Sequence, residues 1–277
     1  MGDAPADPTA GRAAWDCVIQ AAIHARRHDP WFQRAVVWSA LVVLWELVGD
    51  LADPFNFASA SATARALVGL AIDGTGAPLL GTTQELVVGF GIAAVLGILA
   101  GLLIGSFWVA SGTIGVLLNL LFVTTIEALL PLILLLTGVG FGFRVTIVVL
   151  FALPWVALNT AAGVRSVDPT LVEVARSYGS GGLRIVRSVV LPSTVPFVLS
   201  GLRLGLGAAV GGAIVSELWV ISNTGQLLYD LGEGRRLPEY FAVVILIAAA
   251  AIGLTSAIEL IRRRVIPWSM PDERNDA

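Results

Sequence analysis

Apolar residues dominate long stretches of this chain and leave the polar residues in short segments between them. Three stretches contain no Asp, Glu, Lys or Arg: residues 86–126, 145–164 and 241–258. Runs of about 18 or more apolar residues match the hydrocarbon thickness of a bilayer, which a helix of about 20 residues crosses. The pattern therefore predicts an all-α fold, a polytopic transmembrane helix bundle with about six spanning helices.

The apolar runs place the six spans near residues 32–51, 84–108, 113–137, 144–165, 194–221 and 239–263. We expect residues 1–30 to form a cytoplasmic tail and residues 31–277 to form the transmembrane domain. Within the tail, apolar residues of segment 13–27 follow helical spacing and end at two arginines. This spacing fits a helix lying along the membrane surface and a soluble docking helix equally well.

The arginine positions predict the orientation, because loops on the cytoplasmic side carry an excess of basic residues. Six spans would place both termini on the same side as the segment between the fourth and fifth spans. That side carries Arg12, Arg26, Arg27, Arg34, Arg165, Arg176, Arg184, Arg187, Arg262, Arg263 and Arg264. The opposite side carries Arg65, Arg144, Arg235 and Arg236. Both termini are therefore predicted to be cytoplasmic.

Composition narrows the functional classes. Charged residues make up 13% of the chain and hydrophobic residues 56%, whereas soluble domains carry about 25% charged residues. All 17 basic residues are arginine, so the chain lacks the lysine that a phosphate-binding loop requires. One cysteine and two histidines beside arginines do not suggest a metal site. We expect no cofactor on this chain, and any ATP to be bound by another polypeptide.

Segment 167–192, between the fourth and fifth spans, is neither apolar enough to span nor loose enough to be a linker. Asp168 followed by Pro169 is a helix-start signal, a capping side chain and then a residue suited to the first turn. Glu173 is expected near that first turn, where its charge would suit the helix dipole. Gly179 should end this helix, and residues 183–190 form a second short amphipathic stretch.

Apolar side chains on both short helices predict a docking surface. The first helix carries Leu171, Val174, Ala175 and Tyr178, and the second carries Ile185, Val186, Val189 and Val190. A loop without a partner would have no reason to expose these residues to water.

The same segment resembles the cytoplasmic coupling motif of binding-protein-dependent ABC importer permeases. That motif reads Glu-Ala-Ala, three residues, Gly, nine residues, Ile, any residue, Leu-Pro. The chain keeps the spacing with Glu173, Val174, Ala175, Gly179, Val189, Leu191 and Pro192. It departs at two positions, where Val174 replaces Ala and Val189 replaces Ile. Residues 80–268 are also similar to the nitrate, taurine and alkanesulfonate branch of these permeases.

The resemblance implies a type I importer permease, a transport subunit rather than an enzyme, in a bacterial inner (plasma) membrane. It would form the pathway for a small polar solute. The implied partners are two copies of an ABC ATPase that binds ATP and Mg, a second permease copy or paralogue, an extracytoplasmic solute-binding protein, and membrane lipid. No nucleic-acid partner is expected. Glu173 would sit in a cleft on the ATPase and pair with a basic residue there.

Polar residues inside spans are costly, about 2.5–3.5 kcal/mol for a charge, and are functional candidates. Glu127, in the middle of the third predicted span, could contact substrate or pair with Arg203, and the sequence leaves both open. The other candidates for the translocation pathway are Thr124, Thr125, Asn159, Ser216 and Glu217. Asn159 could hydrogen-bond between helices. Glu217 could hydrogen-bond to polar groups on neighbouring helices of the bundle, or it could form an outer gate.

Two other classes of membrane protein are alternatives to the permease. A secondary transporter driven by an ion gradient would be expected to show internal repeats and unwound, charged helices at the midplane. A membrane-embedded enzyme would need a nucleophile and base, or a metal set, at membrane depth. The chain shows no convincing repeat, and a secondary transporter would not explain the docking segment.

Glycines at one-turn spacing mark two spans. Gly97, Gly101 and Gly105 share one face of the second span, and Gly201 with Gly205 and Gly207 with Gly211 repeat the spacing in the fifth. Such faces let helix backbones approach closely in lipid. We expect them to pack the bundle, with a sliding or gating surface as the alternative.

Overall fold

A computed structural model describes residues 30–51, 57–72 and 76–265. The proposed tail helix, Cys17, His24 and His28 lie outside these residues. The regular secondary structure of the described residues is helical, which confirms the all-α prediction for that part. Its α-helices are α1 (Pro30–Leu51), α2 (Ala60–Ile72), α3 (Gly76–Ser106), α4 (Trp108–Gly112), α5 (Ile114–Val123), α6 (Leu130–Thr137), α7 (Phe141–Arg165), α8 (Pro169–Ser177), α9 (Gly182–Ile185), α10 (Leu191–Val220), α11 (Asn223–Glu233) and α12 (Leu237–Val265).

Four described helices are long and apolar enough to cross a membrane: Pro78–Ser106, Phe141–Arg165, Gly182–Val220 and Leu237–Leu260. A fifth crossing is formed if the bent pair Trp108–Val123 and Ile126–Thr137 counts as one span. The first predicted span, α1, is helical over 22 residues, but it is not one of these candidates and carries three charged side chains. The structure thus supports four or five of the six predicted spans.

The third predicted span is not one continuous helix. Its two halves meet at a bend of 97°, where Thr124 and Thr125 have extended backbones with ψ of 136° and 100°. A single 3-10 turn, Ile126–Leu129, then leads into α6. Pro131 lies in the first turn of α6, where its missing N–H costs no hydrogen bond. A proline in that place favours a new helix start over the continuation of α5.

Helix α7 forms the centre of the bundle, with α3 and α10 packed against it. The predicted glycine face of α3 contacts it directly, because a Cβ at Gly97, Gly101 or Gly105 would lie 2.4–2.8 Å from an atom of α7. Buried residues at these interfaces are Leu86, Ala93, Val148, Ala152, Ala209 and Ala213. This confirms the packing interpretation for α3.

The fifth-span glycines divide between two faces of α10. Gly201 and Gly205 approach α7 closely, and a Cβ at either would lie 2.9 Å from an α7 side chain. Gly207 and Gly211 have no atom within 4 Å of such a Cβ. The second pair therefore does not pack within the described chain.

The chain divides into two compact units, residues 1–64 and 65–277. In the first unit, the indole N–H of Trp45 donates to the carbonyl of Ala58 at 3.0 Å. The carboxylate of Glu46 accepts from the backbone N–H of Ser61 at 2.9 Å, at the first turn of α2. These contacts fix the end of α1 against the start of α2.

Candidate functional site

Helix α8 begins where the sequence predicts. The side chain of Asp168 accepts a hydrogen bond from the backbone N–H of Thr170 at 2.8 Å, and Pro169 occupies the first helical position. That hydrogen bond lowers the pKa of Asp168, because it stabilises the ionised carboxylate. The cap fixes the entry of α8 from the end of α7.

The outer face of α8 is unpartnered within the described chain. Leu171, Val174 and Tyr178 are 51%, 48% and 84% exposed, and Glu173 beside them is exposed as well. Glu173 is the fifth residue of the helix, and the first turn holds no acidic residue. Glu173 therefore lies just past the first turn, where helix-dipole stabilisation, which fades within that turn, is weak.

Gly179 ends α8 with a positive φ of 74°, a backbone conformation that glycine adopts without a steric penalty. The chain enters α9 at Gly182, and the second residue of that helix, Leu183, is 86% exposed.

The second half of the segment differs from the prediction. Residues Gly182–Val220 form one continuous helical rod, so α9 is the start of the fifth span rather than a separate docking helix. Ile185 is 6% exposed, and Val189 and Val190 are half-buried. These three side chains pack at least partly against the chain itself. Of the four residues predicted to form an exposed surface, Val186 alone is exposed, at 38%.

A π-helical turn at Val186–Val190 joins α9 to α10. Pro192, in the first turn of α10, cannot donate to a carbonyl four residues earlier, and its ring would clash with that carbonyl. The wider turn accommodates the ring without ending the helix. The hydroxyl of Thr194 donates to the carbonyl of Val190 at 2.7 Å and satisfies one of the carbonyls in the turn.

The break between α5 and α6 brings Thr124, Thr125 and Glu127 together at one exposed point. Glu127 lies in the 3-10 turn rather than in the middle of a helix. Arg203, the alternative partner considered for Glu127, forms its ion pair with Glu259 at 3.9 Å.

Asn159 and Ser216 make their hydrogen bonds within their own helices. The Asn159 side chain donates to the carbonyl of Trp155 at 2.7 Å, so the interhelical bond expected for it is not formed. The Ser216 hydroxyl donates to the carbonyl of Ala213 at 2.8 Å, and the residue is fully buried.

Glu217 is fully buried near the end of α10. Its Oε1 is 2.7 Å from the hydroxyl of Thr82, and its Oε2 accepts the backbone N–H of Gly225 at 3.1 Å. A third contact joins the hydroxyls of Thr82 and Thr224 at 2.6 Å. Glu217 therefore connects α10 to α3 and α11.

A second buried carboxyl group, that of Glu85, lies beside Glu217. Its Oε1 accepts from Arg144 Nε at 2.6 Å and from the side-chain amide of Asn223 at 2.8 Å. Arg144 also donates to the hydroxyl of Ser222 at 3.2 Å. The ion pair joins α3 to α7, and its side chains are 2% and 15% exposed. We call Thr82, Glu85, Arg144, Glu217, Asn223 and Thr224 the carboxyl cluster.

No motif in the sequence marks Glu85 or Arg144 as a site residue. Each directly precedes a stretch without charge, residues 86–126 and 145–164. Charges at span ends are common and usually face water, so position alone gave no reason to pair them. Opposite charges at the same end of two neighbouring spans are the signal that could have found them.

The turn between α10 and α11 is shaped around the cluster. Ile221 and Asn223 both have φ of 48°, an uncommon value for residues with side chains. A Cβ at Gly225 would lie 2.5 Å from the backbone carbonyl carbon of Glu217, and one at Gly81 would lie 2.6 Å from the side chain of Asn223. Both glycines therefore permit the close approach that the hydrogen bonds require.

Comparison with protein families gives a match over more than half of the chain. Residues 93–269 match the family described as "Binding-protein-dependent transport system inner membrane component". This region contains the break between α5 and α6, the whole of α8, and Glu217.

Curated relatives agree with that match. The taurine transport system permease protein TauC of Escherichia coli (strain K12) is 28% identical over 64% of this chain and 64% of its own length. The putative aliphatic sulfonates transport permease protein SsuC of Bacillus subtilis (strain 168) is 26% identical over 88% of this chain and 90% of its own.

Two solved structures share the fold. The MetNI methionine ABC transporter in inward-facing conformations gives a TM-score of 0.58 at 21% identity, over 72% of this chain and 97% of the matched chain. An amino acid ABC transporter with histidines gives a TM-score of 0.53 at 24% identity, over 70% and 96%. At these identities the likeness concerns the fold alone, and it confirms the predicted importer permease architecture.

Proposed function

Because the chain belongs to the family of binding-protein-dependent transport system inner membrane components, it is a multi-pass inner-membrane permease subunit of an ABC importer, and we propose that α8 is the element through which it receives work from its ATPase. Such a system includes a separate ATPase, which binds the ATP, and a solute-binding protein. The permease subunit itself is not an enzyme. The observation that carries the proposal is the exposed apolar face of α8 with Glu173 on it.

The chemistry of α8 suits a groove on another protein. Leu171, Val174 and Tyr178 supply exposed apolar area, and a helix with an apolar face docks into a groove by burying it. Glu173 supplies one negative charge for a basic residue of the ATPase. Ala175 keeps the helix narrow and Gly179 ends it sharply, while Val189, Leu191 and Pro192 lie in the first turns of the fifth span.

The proposed assembly contains two such surfaces. Two ATPase copies would each receive one α8, from this chain and from a second copy or a paralogue. Arg176, Arg184 and Arg187 lie at this end of the bundle, which supports a cytoplasmic position for it. The solute-binding protein would then dock at the opposite end, where the carboxyl cluster lies. Six spans would place both chain termini in the cytoplasm, and we expect no nucleic-acid partner.

We place the translocation pathway along the break between α5 and α6. Non-helical backbone at membrane depth is tolerated where it is buried in protein or lines a water-filled cavity. Thr124, Thr125 and Glu127 are exposed at the break, so a cavity shared with the second permease copy is the site that fits them. Asn159 and Ser216 would line it only if α7 and α10 separate during transport.

We propose a small polar solute of the sulfonate type as the substrate class. This rests on the two relatives named for taurine and aliphatic sulfonates. A solute that carries an ammonium group as well as a sulfonate would also offer Glu127 a cation.

Reconstitution tests the coupling. The permease is incorporated into proteoliposomes with and without its co-purified ATPase, and uptake of solute from the binding protein is followed with and without ATP. Uptake only with both ATPase and ATP is the expected result. Uptake driven by an ion gradient without the ATPase would refute the importer mechanism and favour a secondary transporter. A ligand screen on the co-purified binding protein then tests the sulfonate class.

A further inference from the structure

We propose that the carboxyl cluster is a proton-binding site, and that its single proton resides on Glu217 while the helices α3, α7, α10 and α11 are held together. The ligand is a proton rather than a metal ion. Within the described residues no group of three or more His, Cys, Asp or Glu side chains could hold a metal.

Hydrogen counting supports this assignment. Three oxygen–oxygen contacts meet at the hydroxyl of Thr82: to the carbonyl of Pro78 at 3.2 Å, to Glu217 Oε1 at 2.7 Å and to the Thr224 hydroxyl at 2.6 Å. A hydroxyl supplies one hydrogen. If Thr224 donates to Thr82, the single hydrogen of Thr82 must be shared between Pro78 and an ionised Glu217 in a three-centre bond. A proton on Glu217 Oε1 would donate to Thr82 instead and give each of the three contacts a hydrogen of its own.

Charge counting gives the same answer independently. Among the described residues, the ionisable groups near Glu217 are Glu85 on α3 and, behind it, Arg144 on α7. From α11 the neighbours are the uncharged side chains of Asn223 and Thr224 and the backbone N–H of Gly225. With Glu217 ionised, two buried carboxylates would face one guanidinium. With Glu217 neutral, one negative charge pairs with one positive charge, which is the arrangement that burial favours.

The second carboxyl oxygen of Glu85 is further evidence for a proton in the cluster. Glu85 Oε2 is buried and is the one buried side-chain polar atom in the described chain that has no hydrogen-bond partner. Buried polar atoms without partners are rare and costly. Glu85 Oε2 is therefore a buried acceptor beside Glu217 that still has room for a hydrogen.

Infrared spectroscopy tests the site on the full chain in lipid nanodiscs, without ATPase or substrate. A protonated carboxyl has a C=O stretch at higher frequency than a carboxylate. We expect a band of this kind at neutral pH that shifts in D₂O, is absent in Glu217→Gln, and is retained in Glu127→Gln, where the exposed Glu127 serves as control. In Thr82→Val, which loses a hydrogen-bond partner of Glu217, the band should move rather than vanish.

Three results would overturn the proposal. The first is no change in the protonated-carboxyl region in Glu217→Gln. The second is a band that is lost in Glu85→Gln but retained in Glu217→Gln, which would place the proton on Glu85 instead of Glu217. The third is a band that appears only when Na⁺ is removed, which would identify a cation as the ligand. Should Glu217→Gln fail to fold, the D₂O shift and Thr82→Val still decide.

A second arm rests on the proposed function and measures ATP-driven uptake against pH. The protonated fraction of a carboxyl falls about tenfold for each pH unit above its midpoint, so wild-type uptake should decline steeply once that midpoint is passed. Glu217→Gln cannot lose a proton and should show a level profile. Identical profiles for both proteins would refute the proposal that the proton on Glu217 is needed for transport. Failure of all uptake at every pH would count against the importer mechanism, and the infrared result would stand.

Discussion

The backbone N–H of Gly225 donates to the buried carboxyl of Glu217 at 3.1 Å, across the turn that joins α10 to α11. The contact closes one end of the bundle with a hydrogen bond between a main-chain donor and a side chain eight residues earlier. It exists because Gly225 lacks a Cβ that would collide with the backbone of Glu217.

Gly225→Ala should loosen this closure. The added Cβ would lie 2.5 Å from the Glu217 carbonyl carbon, so α11 must shift, at an overpacking cost of about 1–3 kcal/mol. A thermal unfolding experiment in detergent should show a melting temperature several degrees lower. Gly207→Ala is the matched control, since nothing lies within 4 Å of its Cβ, and its melting temperature should be unchanged or slightly raised. An equal fall in melting temperature in both variants would show that the close approach at Gly225 is not what stabilises this turn.

Arg144→Gln should destabilise the protein strongly, because it leaves the carboxylate of Glu85 buried without its cation. Breaking a buried pair in this way costs about 3–5 kcal/mol. The double variant Glu85→Gln with Arg144→Gln removes both charges and should recover much of the loss in chemical unfolding. If the double variant is as unstable as the sum of the two single variants, the residues do not act as a pair.

Glu173→Arg should leave the protein folded in the membrane and abolish ATP-coupled uptake. The reversed charge would meet the basic residue proposed on the ATPase, while the exposed position spares the bundle. Glu233→Arg, an exposed reversal on α11 at the other end of the bundle, should bind the ATPase as the wild type does. Pull-down of the ATPase separates loss of docking from loss of transport, and retained uptake in Glu173→Arg would count strongly against the coupling role.

Glu127→Gln should change substrate affinity or the transport rate, because the carboxylate is exposed where the backbone is broken. Concentration-dependent uptake measures both quantities, with Glu233→Gln as a control for loss of an exposed acid elsewhere. An unchanged profile would relegate Glu127 to a structural role.

Asp168→Ala should loosen the start of α8. Hydrogen exchange of the Thr170 amide should speed up, since its acceptor is gone, whereas Asp168→Asn keeps a capping oxygen and should slow exchange again. Because the hydrogen bond lowers the pKa of Asp168, the cap is fully present above the ordinary value of 3.8 and is lost as pH falls through the folded-state pKa. Transport at neutral pH should therefore not depend on titration of this group.

The start of α8 and the general fold could be predicted because both depend on local signals. A capping Asp before Pro acts within one turn, and uncharged runs of span length leave helices as the available structure in lipid. The glycine face of α3 was also readable, since one small residue per turn indicates close packing whatever the partner is.

The break after Val123 could not be read from hydropathy. Thr124 and Thr125 are uncharged, so they do not divide or shorten the apolar run. A straight span of residues 113–137 would have the same composition as a bent one. The continuous helix from Gly182 was missed for the opposite reason. Gly179, Gly181 and Gly182, together with Pro192, suggested one helix break after α8 and a second before the fifth span. The second break is not formed, because a π-turn accommodates the proline. The Glu85–Arg144 pair joins residues 59 positions apart, a distance over which no sequence period carries information.

The continuous rod from Gly182 to Val220 has a mechanical consequence. Its 39 residues extend about 58 Å at 1.5 Å each, roughly twice the hydrocarbon thickness of about 30 Å. A tilt imposed on its first turns by a closing ATPase dimer would act as a lever and swing the Glu217 end through an arc. The movement produced when the ATPases close would thus reach the far side of the membrane along a single continuous helix.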